Sequence, residues 1–109
     1  MISAQKLEGA GGQKPASPTE IIAASISVSP YISVYPWSAG FGTKYADPST
    51  LPTGVGRSVA FNTLGTAIAV THSTSPYISV YPWSAGFGTK YADPSTLPTG
   101  NFIGVTFAG

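Results

Sequence analysis

Apolar residues along the second half of this chain recur with a spacing of two. Ser58-Val-Ala-Phe-Asn62 alternates in this way, Asn62-Thr-Leu-Gly65 supplies a turn with Gly where positive φ is needed, and Thr66-Ala-Ile-Ala-Val-Thr-His72 returns, so the pattern predicts a β-hairpin. Ser73-Thr-Ser-Pro76 makes the next turn and Tyr77 to Tyr81 a third strand. After Ala85-Gly86, the run Gly88 to Ala92 reads as a fourth, giving a four-stranded antiparallel sheet in sequence order. Helix is not expected past Thr19, because Gly and Pro recur every few residues and the apolar spacing is not the helical 3.6.

The same pattern says what lies beside the sheet. Ala67, Ile68, Ala69 and Val70 place apolar groups on both faces of one strand, and on the next Tyr77, Tyr81 and Trp83 alternate with Ile78, Val80 and Pro82. A lone sheet of this composition would leave both faces wet, whereas stacked sheets cover one another. The chain supplies its own second sheet. SPYISVYPWSAGFGTKYADPSTLPTG runs from Ser29 to Gly54 and again, unchanged, from Ser75 to Gly100, a period of 46 residues. A unit repeated at this period cannot bury its apolar faces alone and has to stack against copies of itself.

The segment SVAFNTLGTAIAVTHSTSPYISVYPW resembles the blade pattern of the WD40 family, in which an apolar strand and a tight turn precede a small-residue strand and then an Ile-x-Val-Trp-Asp strand. The resemblance puts Val59 and Phe61 on the innermost strand, Asn62 to Gly65 on the turn, Ala67 to Val70 on the second strand and Ile78 to Pro82 on the third. It covers residues 21–109 in repeating fashion, and it implies an all-β fold of β-propeller blades, about two per chain. Tyr81-Pro82 stands where the family has Trp-Asp, and no Gly-His precedes the first strand, so the family's buried hydrogen-bond network is expected to be absent. Near-identical repeats also resemble the recently amplified propellers of bacteria and their phages.

Aligned on the period, Ile21 to Ser27 corresponds to the second strand, Ile22 with Ile68 and Ala23 with Ala69, so the first unit has no innermost strand of its own. Val105 and Phe107 align with Val59 and Phe61, which makes Phe102 to Phe107 an orphan first strand and the two blades circularly permuted. Rings need about four to eight blades, so the orphan strand is expected to complete a blade in a neighbouring copy, with Ile22, Ala23, Val105 and Phe107 at the subunit interface. Three copies would make six blades and four would make eight. The competing reading is a piece of a longer gene or a degraded reading frame.

Composition narrows the function classes. The chain has 109 residues, a formal net charge of +1 and no cysteine, which excludes disulfides, thiol catalysis and cysteine metal sites. Residues 1–20 are Gly, Ala, Pro, Ser, Lys and Glu in the main and read as a disordered arm or linker. From Ile21 onward the only charged side chains are Lys44, Asp47, Arg57, Lys90 and Asp93, too few and too scattered to hold nucleic acid. No apolar run approaches the length of a membrane span or a signal peptide, so a soluble protein without a membrane partner is expected, and its neutral, hydroxyl-rich surface suits a virion or extracellular setting.

Catalytic constellations are not found, and an enzyme is not expected. His72, the only histidine, falls on a predicted strand where the first unit has Ile26, and is read as a filled interior position rather than a general base. Asp47 and Asp93 precede prolines in turns, the acids are too dispersed for a metal, and no cofactor is implied. Trp37, Tyr45, Trp83 and Tyr91 lie near strand ends and turns, where rings either fill a core or stack on a sugar or a partner. Two functions follow: a structural or adhesive module acting through a head-to-tail trimer or tetramer, with other structural proteins as further partners, and a lectin-like module holding one weak glycan site per blade.

Overall fold

The computed structural model of the protein describes residues 20–99 and 104–108. These are all-β: β1 (Glu20–Ser25) pairs with β2 (Ile32–Trp37), while β3 (Gly56–Phe61), β4 (Ala67–His72) and β5 (Ile78–Pro82) form a second sheet in that order. All pairings are antiparallel. The expected hairpin is present. Val59 faces Val70 and Phe61 faces Ile68, and the turn is held by the Asn62 side chain, which accepts from the N–H groups of Thr66 at 2.8 Å and Ala67 at 3.0 Å, with Gly65 at φ +71°.

The two sheets are one hairpin drawn twice. Ile22 pairs with Tyr35 in the first as Ile68 pairs with Tyr81 in the second, and the β1–β2 and β4–β5 turns share a cis Ser-Pro bond followed by a tyrosine at positive φ. Among the described residues no four-stranded ladder forms. Gly42 and Tyr45 donate to the carbonyls of Pro36 and Val34 at 2.7 and 2.9 Å, and Gly88 and Tyr91 donate to Pro82 and Val80 at 2.7 and 2.8 Å, so the segment expected as a fourth strand lies alongside without a ladder. The reason is local: Pro36 and Pro82 have no N–H to return the bond.

Of the orphan strand, Phe102 and Ile103 lie outside the described residues, and Gly104–Ala108 forms no strand. A strand exists only by pairing its backbone groups, and among the described residues this segment has no ladder partner. Of the expected arm only Glu20 is described, and it opens β1.

β3 begins earlier than its apolar pattern suggests because it stitches the sheets together. Gly56 donates its N–H to the Ile26 carbonyl at 3.0 Å, and Ser73 donates to the Val55 carbonyl at 3.0 Å. A side chain at Gly56 would run into the Tyr31 carbonyl, so the crossing demands glycine. The core lies between the sheets: Ile32 and Val34 from β2 meet Ile68, Val70, Tyr81 and Trp83 from the second sheet, with Ile21, Ala23, Tyr45, Val59, Phe61 and Phe87 packed around them.

This placement makes two chemically identical substitutions unequal. Ile32 is fully buried and its repeat counterpart Ile78 only partly so. Ile32→Ala is expected to cost about 2–5 kcal/mol and Ile78→Ala clearly less, measured by urea unfolding of the two variants side by side. Thr71 is also fully buried, and among the described residues its hydroxyl finds no hydrogen-bond partner. Thr71→Val should therefore stabilise, by about 1 kcal/mol in the same assay.

Candidate functional site

Because the repeated segments are identical, any difference in their burial reports a neighbour and not a side chain. In β2 the buried side chains are Ile32, Ser33 and Val34, with Tyr35 and Trp37 partly open; in β5 they are Ser79 and Tyr81, followed by Trp83, with Ile78 and Val80 partly open. Alternation by two means that opposite faces are covered. The first repeat buries its Ile-Val face and the second buries its Tyr-Trp face, because these two faces meet. The neighbouring strand agrees, since Ile68 is 0% exposed and its counterpart Ile22 is 41% exposed.

The joint has a specific geometry. Tyr45 stands edge-on to Trp83 with ring centroids 4.9 Å apart and an interplanar angle of 85°. Within the second sheet Phe61 and Phe87 also meet Trp83 edge-on, at 5.5 and 5.1 Å. The Tyr81 hydroxyl donates to the Thr50 carbonyl at 2.7 Å, and burial pushes its pKa up to about 12, so it is a neutral donor at any ordinary pH. The Thr53 hydroxyl donates to the Ser75 carbonyl at 2.7 Å. Gly54 is buried at the closest approach, where any side chain would collide with Thr74.

His72 anchors the polar half of the joint. Its Nδ1 lies 2.8 Å from the Thr74 carbonyl and 3.3 Å from the Thr53 hydroxyl, so Nδ1 carries the proton and Nε2 accepts the Ser79 hydroxyl at 2.9 Å. Burial holds its pKa below the ordinary 6.5, with a nearby Lys90 adding to the effect and the Thr74 carbonyl and Asp93 opposing it. A serine hydroxyl aimed at an imidazole is the geometry of an activated nucleophile, but Ser79 is 2% and His72 0% exposed, so no substrate reaches it. The arrangement binds strand to strand and repeat to repeat.

No family model, curated protein or solved structure matches this chain.

The four aromatic residues expected to carry a site are divided by the fold. Trp83 and Tyr45 are joined in the covered joint. Trp37 stands edge-on to Phe41, at 5.1 Å, and borders an open apolar cavity of about 510 Å³ with Ile21, Ile22 and Phe61, while Tyr91 is 51% exposed. The residues expected at a subunit interface are also separate: Ile22 faces outward on β1, Ala23 packs toward the core, Val105 is partly covered, and Phe107 borders a shallow cavity at the Asn62–Leu64 turn. Thr50, Thr53, Ser79 and Tyr81 were not foreseen as joint residues. Thr50 acts through its backbone and Thr53 through a contact across about twenty residues, so no local pattern marks them.

His72 gives the joint a pH signature. A histidine kept neutral in the fold contributes stability above the unfolded pKa of about 6.5 and loses it as pH falls, because the unfolded chain then binds more protons. The midpoint of urea unfolding should hold steady above neutrality and fall below pH 6.5, and His72→Ile, the residue of the first repeat at this position, should flatten that slope. Tyr81→Phe should cost about 0.5–1.5 kcal/mol at every pH between 5 and 8, since it removes the hydrogen bond to the carbonyl of the exposed Thr50.

Proposed function

We propose that the protein is a structural repeat module that works by stacking sheet on sheet, first within the chain and then between copies, in a propeller-like array closed by three or four subunits. One observation carries this reading: each repeat has an Ile-Val face and a Tyr-Trp face, and among the described residues one of each is covered while the other two stay partly open. The leftover pair are apolar surfaces of opposite kind on the same molecule. Contacts between unlike faces are heterologous and propagate to a ring when the rotation closes. The near-absence of charge on the folded part removes the usual obstacle to such association. A virion or cell-surface setting, where repeated shape is itself the function, suits this chemistry.

A lectin-like reading retains one supporting feature, the cavity beside Trp37, where a ring and an exposed Glu20 could hold a sugar. It differs in what it requires of the other aromatics. A site repeated on every blade needs Trp83 as free as Trp37, and Trp83 is only 5% exposed.

Light scattering coupled to size exclusion distinguishes the two readings. The expected molar mass at micromolar concentration is three or four times the 11.1 kDa protomer, with no retention on immobilised glycans. A clean monomer that binds sugar would overturn the assembly reading.

A further inference from the structure

The joint inside the chain is a template for a joint between chains. Its tail half, from the first repeat, consists of Ile32, Val34, Tyr45 and the Thr50 carbonyl; its head half, from the second, of Ile68, Tyr81 and Trp83. Shifted by one repeat, the tail half becomes Ile78, Val80, Tyr91 and the Thr96 carbonyl, and the head half becomes Ile22, Tyr35 and Trp37. All of these side chains are more exposed than their counterparts, Tyr91 at 51% and Ile22 at 41% being the extremes. The surfaces are unchanged in sequence except where β1 differs from β4.

We propose that the occupant of the open head face is the tail face of a second copy of this chain, docked so that Tyr91 of one copy stands edge-on to Trp37 of the next and the Tyr35 hydroxyl donates to the Thr96 carbonyl. This docking deepens the assembly reading and rests on it. The argument is continuity with an interface already formed: the same tail residues meet the same head residues 4.9 Å ring to ring within the chain. Edge-on aromatic pairs of this kind add about 0.5–1.5 kcal/mol beyond burial of their area. Docking then completes the cover of two partly open faces per copy.

The copy-to-copy joint is not a perfect replica, and its departures set its strength. Ala24 stands where the second repeat has Val70, leaving a shallower head face, and Ile26 stands where it has His72, so the link from the threonine at position 99 to an imidazole has no equivalent. The threonine can still reach backbone carbonyls, as Thr53 reaches that of Ser75. The joint between copies is thus the weaker one, and assemblies dissociate into intact two-sheet protomers on dilution.

A heterologous joint predicts a result that a symmetric one cannot give. Tyr91→Asp disables the tail and keeps the head, while Ile22→Asp disables the head and keeps the tail; both positions are exposed, and an unchanged circular-dichroism spectrum and melting profile verify the fold of each. Sedimentation velocity should show each variant alone as a monomer, with self-association weakened at least tenfold, and their equimolar mixture as a dimer that grows no further. Trp37→Ala, a milder change on the head, should behave as Ile22→Asp does. If the parent chain assembles and the variants assemble equally well, or the mixture stays monomeric, the docking is wrong and assembly proceeds through another surface. If the parent chain is itself monomeric throughout the micromolar range, the assembly reading fails and this docking with it.

Discussion

Tyr45 against Trp83 is the contact on which the rest of the molecule depends. Each sheet is apolar on both sides and too small to shield itself, and the chain holds no disulfide to compensate. Stability has to come from laying one sheet on the other, and the edge-on ring pair with Ile32 and Val34 beneath it is where the apolar area disappears. Gly54 and Gly56 are necessities of the same approach, since side chains there would meet Thr74 and the Tyr31 carbonyl.

Around this apolar contact sits a thin set of hydrogen bonds that orients it. Tyr81 reaches the Thr50 carbonyl, Thr53 reaches the Ser75 carbonyl and His72, and His72 in turn receives Ser79. None uses a charged group. Among the described residues the ion pairs, Lys44 with Asp47 and Lys90 with Asp93, lie in the same loop of each repeat and bridge residues three apart, so they shape a loop and add little to the joint. A joint of hydroxyls, carbonyls and rings is insensitive to salt, and its only titrating member near neutrality is an imidazole kept neutral by burial.

Repetition without variation gives this protein an internal control that most folds lack. Phe41 is 64% exposed while Phe87, the same residue one period on, is partly buried. Leu97 and Tyr91 are exposed where Leu51 and Tyr45 are partly covered. Such inequality cannot arise from local sequence, so it maps where a neighbour is present and where one is missing. That inequality is what supports the proposal that the outward faces are halves of an interface.

How much of this was legible beforehand follows from the range of each interaction. Strands, turns and the absence of helix among the described residues depend on neighbours a few residues apart: the alternation at Val59–Phe61 and Ala67–Val70 with the Asn62–Gly65 turn was enough to place β3 and β4, and the Tyr77–Tyr81 run after the Ser73–Pro76 turn placed β5. The repeat likewise determined that the same hairpin would form twice. The fourth strand was overestimated because alternation signals an extended chain, while a ladder also needs donors that Pro36 and Pro82 lack. The candidate aromatics were legible as a group but not in their roles: Trp37 and Trp83 occupy identical local sequence, and only the docking of one sheet on the other made Trp83 core and left Trp37 open. His72, Thr53 and Thr50 belong to the same class. Their partners come from segments brought together when the sheets stack, and periodicity within one strand carries no information about which face the next sheet will cover.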